Sequence, residues 1–293
     1  MSPYRSPLLV SPDPDADEYV CVTPQQAGWQ LLHFAARRLH PGCLWEADTG
    51  EHELALVLLG GVCAVRSDRG AWPRVGRRHN VFSGMPYGLY LPRRTRFTVE
   101  ALEGAADLAC GWCPAEVDYP PRLITPEDVG VEIRGGGNAT RQINSLLPPG
   151  FPCQRLVVVE VYTPAGNWSS YPPHKHDAHR QDAQGQMLEA DLEEIYFYKT
   201  QQPQGYAYQR VYTGDGRLDE LILAHDSDLV LVPEGYHPVV AAPGYPIYYL
   251  NMLAGSAQSL ASSDDPAHAW VKQTWKERDS RLPLVSLEME HER

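Results

Sequence analysis

The sequence lacks any apolar run of the roughly 20 residues that a membrane-spanning helix needs, and its start lacks the basic segment and apolar stretch of a secretory signal peptide. Positive charge is also scarce. The chain has 25 Lys and Arg against 37 Asp and Glu, a formal net charge of −12. Because this field repels nucleic acid and anionic membranes, we expect neither as a partner. A soluble, cytoplasmic protein is expected.

Cysteine is scarce as well. Six cysteines in 293 residues are too few for a disulfide framework in a chain of this length, so reduced thiols are expected. Cys110 and Cys113 form a C-x-x-C, which could be a redox pair or half of a zinc site. No second C-x-x-C completes a zinc site, and the pair follows a strand-like segment. A structural role in the core is the favoured interpretation.

Turn formers and tyrosine are abundant, with 24 Gly, 26 Pro and 16 Tyr, which predicts many short strands and an all-β fold. Strand, Gly or Pro turn and strand recur in both halves, and residues 89–92 resemble residues 230–233, which suggests a degenerate duplication. Residues 30–37 fit a strand or a helix equally well. We predict an N-terminal domain over residues 1–113, a linker and crossover over 114–150, and a C-terminal domain over 151–293.

A His-x-His pair is the most informative motif of the chain. Among the eleven histidines only His174 and His176 form one, and the two preceding prolines favour extended backbone. In a strand, alternate side chains share a face, so both imidazoles point the same way. The pair is therefore half of a metal site.

The other ligands must come from elsewhere in the chain. Glu193 or Glu194 heads a later strand, and His237 follows a Pro-x-Gly turn. Singly, such residues are more often a solvated glutamate and a turn histidine. In this order, however, His-x-His, Glu and Pro-x-Gly with a following His form the two-motif pattern of the cupin barrel. The seventeen residues between His176 and Glu194 include a polar insert, which we expect to be a surface loop.

Three imidazole nitrogens and one carboxylate oxygen suit one borderline divalent ion, with positions left open for a substrate. Zinc is the first choice, and manganese, iron(II) and nickel are the alternatives. The N-terminal half has neither the His pair nor the later His, so we expect its barrel to hold no metal.

Six ordered segments match a known pattern. They are VEVYTPAGNWSSYPPHKHD (159–177), LEEIYFY (192–198), QRVY (209–212), PEGYHPVVAAPG (233–244), YYLNMLAG (248–255) and DPAHAW (265–270). Through them the chain resembles the 5-deoxy-glucuronate isomerases of inositol catabolism, bicupin relatives of the 5-keto-4-deoxyuronate isomerases of pectin breakdown. The departures lie in the N-terminal half, where Pro92-Arg93-Arg94 replaces a Pro-Pro-Gly-like turn.

The resemblance implies a bicupin, with two β-barrel (jelly-roll) domains in tandem and the metal in the C-terminal one. It implies isomerisation of 5-deoxy-D-glucuronate to 5-dehydro-2-deoxy-D-gluconate through a metal-stabilised enediolate, without an organic cofactor. Alignment with the related isomerases selects Glu194 as the carboxylate ligand, which leaves Glu193 on the opposite face.

The remaining site candidates follow from what this reaction requires. Tyr196 and Lys175 are the candidates for the proton shuttle, although alternation points Lys175 away from the metal face. The substrate carboxylate needs a cation, for which a guanidinium is well shaped. The substrate-binding candidates are Arg141, Arg210, Gln209 and Asn251.

Two other functional classes remain open. A cupin dioxygenase could use the same three histidines and glutamate with iron(II), and a non-catalytic, sugar-binding or regulatory cupin would need no chemistry at all. No helix-turn-helix signal accompanies the barrels. We also expect a homo-oligomer, because unclosed cupin sheets have edges and apolar faces that find partners.

Overall fold

Antiparallel β-strands dominate the structure. The computed structural model describes residues 5–288. The helical elements that lie wholly within that range are a short α-helix, α1 (Pro24–Ala27), and 3-10 turns at Pro126–Asp128, Gly137–Ala139 and Ala269–Thr274. No helix of the described residues is long and apolar enough to cross a membrane.

The strands divide into two sets. Those of the first part of the chain are β1 (Leu9–Val10), β2 (Glu18–Val22), β3 (His33–Leu39), β4 (Leu44–Asp48), β5 (His52–Gly60), β6 (Cys63–Ser67), β7 (Gly70–Val75), β8 (Tyr87–Leu91), β9 (Arg96–Ala101), β10 (Ala106–Pro114) and β11 (Arg122–Ile124). Those of the second part are β12 (Gly130–Arg134), β13 (Arg141–Leu147), β14 (Val157–Thr163), β15 (Trp168–Ser169), β16 (His174–Lys175), β17 (Asp177–Gln181), β18 (Met187–Thr200), β19 (Tyr206–Tyr212), β20 (Asp219–His225), β21 (Leu229–Val232), β22 (Val239–Ala241), β23 (Ile247–Gly255) and β24 (Ser263–Asp264).

With the exception of β1, each set forms a two-sheet barrel, and the two barrels have the same strand order. In the first barrel a sheet ordered β11-β8-β5-β10-β3-β2 packs on β4-β9-β6-β7. In the second barrel β1-β21-β18-β23-β14-β13-β12 packs on β15-β22-β19-β20, and β16 pairs with β24 outside these sheets. The all-β prediction of two barrels in tandem is confirmed.

One strand is exchanged between the two sets. β1, from the first part of the chain, pairs with β21 of the second barrel. β11 has the corresponding edge position in the first barrel, where it pairs with β8. The large sheet of the second barrel thus has an edge strand that lies outside its own run of the sequence.

The large sheets are buried on both faces. On β5, Leu56 and Leu58 face the core of the first barrel, while Val57 and Leu59 face a core that the two barrels share. On β18, Ile195 lies in the shared core. Double burial explains why these strands appear in the sequence as continuous apolar runs rather than alternating ones.

The C-x-x-C lies on β10. Cys110 faces the core of the first barrel and Cys113 faces the shared core, because positions three apart point to opposite faces of a strand. Both thiols are free and buried. The two sulfurs therefore cannot pair with each other.

Three sequence interpretations need correction or completion. Residues 114–150 are not a plain linker, since they contribute β11 to the first barrel and β12 and β13 to the second. Residues 33–39 are a strand rather than a helix. The polar insert is not a loop but a hairpin of β17 and β18. Within it, the Glu189 carboxylate accepts hydrogen bonds from Lys175 and Arg180. The domain bounds 1–113 and 151–293 stay a proposal.

The turn after β8 is also informative. Arg94 has φ of 57° and Gly235, in the turn after β21, has φ of 86°. The first barrel thus keeps the left-handed turn of the second although arginine is poorly suited to it, at a cost of about 1 kcal/mol. The Arg94 guanidinium is held by Glu51, 2.8 Å from Nε to Oε1.

Candidate metal centre

The predicted ligands meet on the inner side of the second barrel. A cavity of about 410 Å³ opens there, between the inward residues of β13, β14, β18 and β23 and the chain segment that follows β23. His174 lies on β16, His176 just after it, and Glu194 on β18. His237 lies in the turn between β21 and β22 and is fully buried.

The four side chains form a compact cluster. Glu194 Oε2 lies 2.8 Å from His176 Nε2 and 3.3 Å from His237 Nε2. Ligand atoms of these three residues all lie within 4.8 Å of one another. The His174 ring completes the cluster, with its centroid 4.8 Å from that of His237.

Backbone carbonyls fix the orientation of the imidazoles. His176 Nδ1 lies 3.1 Å from the Leu192 carbonyl and His237 Nδ1 lies 2.9 Å from the Gly235 carbonyl. A ring nitrogen beside a carbonyl donates its hydrogen, so in the neutral imidazole each Nε2 has the lone pair and faces the cluster.

The donor set fits a divalent metal ion. In that neutral form, two imidazole lone pairs and a carboxylate oxygen repel one another at these distances, and His237 Nε2 is buried without a hydrogen-bond partner among the described residues. A cation bound by all of them removes both problems. The His/Glu cluster is therefore a site that could hold a metal.

Burial prepares two of the three histidines as ligands. Burial, reinforced by His176, lowers the pKa of His174 to about 3, and burial also lowers the pKa of His237 to about 3. Neutral imidazoles are the form that binds metal. Burial acts in the same direction on His176, but the hydrogen bond with Glu194 outweighs it and raises the pKa of His176, so a metal ion would replace the proton that these two residues share.

The neighbouring glutamates have opposite roles. Glu194 is 5% exposed and faces the histidines. The Glu193 carboxylate faces the first barrel, where it accepts hydrogen bonds from the backbone N–H groups of Gln30, Leu31 and Leu32 at 2.6, 2.9 and 2.7 Å. Alternation along β18 separates the two side chains in this way.

Three cations line the cavity: Arg134, Arg141 and Lys272. Arg134 forms a bidentate pair with Glu132, at 2.9 and 2.7 Å, and Lys272 pairs with Asp264. Arg141 differs, because its Nη1 donates to the backbone carbonyls of Ala139 and Tyr171, both at 3.2 Å. Burial lowers the pKa of Arg141.

Hydroxyl and amide groups form the rest of the polar wall. The hydroxyls of Tyr196 and Ser170 are 3.0 Å apart, and Tyr249 bonds Ser169. Burial, with the charge of Glu194, raises the pKa of Tyr196 well above its usual value, so its hydroxyl keeps its proton. Asn251 Nδ2 donates to the Ile195 carbonyl at 3.0 Å, and Asn251 also lines the cavity.

Three of the predicted site residues lie elsewhere. The Lys175 ammonium pairs with Asp177 and, at 2.8 Å, with Glu189. Arg210 pairs with Asp219 at 2.7 Å on the outer face of β19. Gln209 is buried inside the barrel, where its Oε1 accepts from the Tyr198 hydroxyl at 2.7 Å. None of the three lines the cavity, because β19 belongs to the facing sheet and Lys175 points outward.

The structure adds cavity residues that the sequence analysis did not identify. Asp264 and Lys272 come from the segment after β23, together with Trp275, whose buried indole N–H has no hydrogen-bond partner among the described residues. Arg134 comes from the supposed linker. Tyr249 was accessible from the sequence, since alternation along β23 places it on the same face as Asn251.

Two barrels of cupin topology, one with a cluster of three histidines and a glutamate, define a bicupin with a single candidate metal centre among the described residues. The chain belongs to the KduI/IolB family, whose model matches residues 8–271. This confirms the resemblance drawn from the sequence.

Two relatives of the chain have the same name. A protein of Geobacillus thermodenitrificans (strain NG80-2) named 5-deoxy-glucuronate isomerase is 43% identical over 256 residues, 87% of this chain and 91% of the relative. A protein of Bacillus subtilis (strain 168) with the same name is 36% identical over 252 residues, 85% of this chain and 91% of the relative.

Solved structures support the fold. The crystal structure of an IolB-like protein from Salmonella typhimurium LT2 has a TM-score of 0.86 and 37% identity, and the match covers 90% of this chain and 98% of that one. An oxalate decarboxylase structure has a TM-score of 0.64 at 14% identity, over 89% of this chain and 80% of the other. The second likeness concerns the fold alone.

Proposed function

We propose that the protein is an aldose–ketose isomerase that converts 5-deoxy-D-glucuronate to 5-dehydro-2-deoxy-D-gluconate in the breakdown of myo-inositol. The names of its relatives support the reaction. The observation that carries the proposal is the position of Arg141, a buried cation on the wall of the cavity that contains the His/Glu cluster.

Arg141 supports an anionic substrate. It is 6% exposed, and it is the one cation of the cavity wall without a carboxylate partner among residues 5–288. A buried guanidinium without an anion is costly, and a carboxylate that enters the cavity would relieve that cost. A uronate has a carboxylate at one end and the reacting carbons at the other.

The reacting end would lie at the cluster. His174, His176, Glu194 and His237 would hold one divalent ion, for which zinc is the first choice and manganese, iron(II) and nickel are alternatives. When bound, the ion supplies Lewis-acid stabilisation of the negative charge that develops on substrate oxygen. The residues around it have to move two protons.

Asp264 and Tyr196 are suited to the two proton transfers. Asp264 is paired with His174 across the β16–β24 ribbon, and both side chains line the cavity. Its carboxylate would take the proton from C2, so that the C2–H electrons form the C1=C2 bond and the C1=O π electrons move to O1. When O2 then loses its proton and C2=O forms, the C1=C2 electrons take the proton back from Asp264 at C1. The Tyr196 hydroxyl, kept protonated by its raised pKa, would donate to O1 and recover a proton from O2.

A direct assay tests the proposal. Purified protein, loaded separately with zinc, manganese, iron(II) and nickel, is incubated with 5-deoxy-D-glucuronate and the product is identified by NMR. We expect ketose formation without oxygen uptake. Oxygen consumption by the iron(II) form, without ketose, would instead indicate a dioxygenase. Binding without turnover for every metal would indicate a sugar-binding cupin.

We also propose self-association with a second copy of the chain. Support comes from the outer face of the β19–β20 sheet, where Tyr208, Leu221 and Leu223 are 44%, 66% and 40% exposed and Tyr208 pairs with Leu223 across the strands. An exposed apolar patch on an edge strand favours pairing. Sedimentation should show an oligomer that Leu221→Asp dissociates, and a monomer at micromolar concentration would refute the proposal.

A further inference from the structure

A second cavity, of about 330 Å³, opens on the inner side of the first barrel. Its walls are largely aromatic and apolar, with a few charged groups at the rim. We infer that this cavity is a second small-molecule site that binds a neutral, polyhydroxylated ring without a metal. The inference does not depend on the proposed isomerase activity.

Strand register places this cavity at the position of the metal centre. Leu54 on β5 pairs with the β8 residue that precedes Pro92, and Glu194 on β18 pairs with the β21 residue that precedes Pro233. Since the two large sheets have the same strand order, Leu54 occupies the position of the carboxylate ligand. Each of these two side chains lines the cavity of its own barrel.

The neighbouring strands agree with this alignment. Two residues further along β5 and β18, Leu56 pairs with Cys110 on β10 and Tyr196 pairs with Asn251 on β23. On the next strands, Cys110 pairs with Ala35 and Asn251 pairs with Val159. All four line their respective cavities. The first barrel therefore keeps the cavity and replaces the metal-binding chemistry with apolar surface.

Aromatic rings give this cavity its character. Trp45 packs edge-to-face on Phe97, with ring centroids 5.3 Å apart, and Trp112 stacks on His33 at 5.1 Å. These contacts hold the indoles in place and so reduce the conformational entropy lost when a ligand binds. A cavity of this size, lined by aromatic groups and a few polar ones, is typical of small-molecule sites.

Arg37 specifies the polar part of the ligand. Its Nη2 lies 2.5 Å from Glu18 Oε2, and its guanidinium carbon lies 4.9 Å from the centroid of the Trp45 ring. Its Nε is buried and lacks a hydrogen-bond partner among the described residues. A buried N–H group without an acceptor is unfavourable. If a small shift of the Arg37 side chain turned this N–H toward the cavity, a ligand oxygen could accept its hydrogen bond and so stabilise the complex.

The charges at the rim disfavour an anionic ligand. Arg37 is paired with Glu18, and Asp48 is paired with Arg96 at 3.7 Å. A carboxylate ligand would have to compete with these two carboxylates for the arginines. A neutral sugar or cyclitol ring fits better, because its C–H faces can pack on the indoles while its hydroxyls bond Arg37 and Asp48. The two cavities would then differ in ligand charge.

Methyl β-D-glucopyranoside is a suitable probe, since it has no carboxylate for Arg141. Titration followed by NMR should show saturable binding with Kd of about 1–10 mM, as expected for a ligand of this size. Trp45→Ala should weaken binding at least about tenfold and Arg37→Gln about threefold to tenfold. Arg141→Ala, which alters the other cavity, should leave binding unchanged.

A second variant distinguishes the loss of this binding site from misfolding. Ala47 lines the cavity and is partly exposed, so Ala47→Trp should fill the space from the rim, preserve the thermal unfolding midpoint and abolish probe binding. Binding that survives Ala47→Trp and Trp45→Ala but is lost in Arg141→Ala would place the probe in the metal-site cavity and overturn the inference. The absence of saturable binding would overturn it too.

Discussion

The two barrels repeat one strand order but differ in the chemistry of corresponding inward positions. Where β18 presents Glu194 and Tyr196 to the interior, β5 presents Leu54 and Leu56. The second barrel has three histidines around its carboxylate, and the first has none at the aligned positions. A metal centre in this fold thus depends on a few inward side chains and two turns, and the barrel itself forms without them.

The outward positions of the same strands are alike. Glu53 precedes Leu54 and accepts from the backbone N–H groups of Gln154, Arg155 and Leu156 at 2.7, 2.7 and 3.0 Å. Glu193 precedes Glu194 and accepts in the same way from residues 30–32. Each barrel therefore uses one carboxylate to hold the loop before β3 or β14 of the other barrel. The contacts that join the two barrels are therefore alike, whereas the side chains of the two barrel interiors differ.

Removal of a metal ligand should have the largest effect on activity, and it tests whether only the second barrel binds metal. His237→Ala should lose most of the bound metal and about 10³-fold or more in kcat/KM, because Lewis-acid stabilisation contributes several kcal/mol. The variant should remain folded, since both barrel cores are intact. Metal analysis and circular dichroism check this.

His52→Ala is the matched control, because His52 lines the cavity of the first barrel. It should keep one equivalent of metal per chain and full activity. Two equivalents of tightly bound metal in the unmodified protein would break the comparison between the barrels. Unfolding of His237→Ala would show that the ion is structural.

Loss of the proposed base should be the next largest effect. Asp264→Asn keeps the size of the side chain but not its basicity, so kcat should fall about 10²- to 10³-fold with little change in KM or metal content. Exchange of the substrate C2 hydrogen with solvent should slow equally. A kcat within threefold of the unmodified value would exclude Asp264 as the base and leave the isomerase assignment intact.

The symmetric carboxylates offer a stability test. Glu53 is fully buried and Glu193 is half-buried. Glu53→Ala leaves three N–H groups without an acceptor and should destabilise the protein by about 3 kcal/mol, or about 6–10 °C in Tm, and Glu193→Ala by less. Differential scanning calorimetry measures both.

Glu53→Gln is the control, because the amide keeps an acceptor oxygen, and it should lose less than Glu53→Ala. Equal Tm values for all three variants and the parent would show that these hydrogen bonds do not hold the barrels together. Both alanine variants should bind metal normally, since neither carboxylate faces an interior.

Alternation and the family resemblance together predict the ligand cluster. Alternation orients His174 and His176 together and separates Glu193 from Glu194, and the resemblance selects Glu194 and His237. Alternation also points Lys175 outward, as the structure has it. It cannot show that β19 lies in the sheet facing the cavity, and for this reason the sequence offers Arg210 and Gln209 as substrate-binding candidates.

The rest of the site comes from segments without periodicity. Asp264 lies on a two-residue strand and Trp275 follows a 3-10 turn, and neither leaves a pattern in the sequence. Arg134 lies on a short strand within residues that looked like a linker because of their Gly and Pro content. Long-range packing places these side chains, and no window of the sequence contains that information.

The arginines of the two cavities give the last and smallest effect. Arg141 has no carboxylate partner among the described residues, whereas Arg37 is paired with Glu18, so only Arg141 is available to bind a uronate carboxylate. Arg141→Ala should raise KM about 10- to 100-fold and change kcat much less, since the carboxylate is remote from the reacting carbons. Arg37→Ala should change neither. If Arg141→Ala instead abolishes kcat with KM intact, Arg141 stabilises the charge that develops on the reacting carbons, and the division between a binding end and a reacting end of the cavity is wrong.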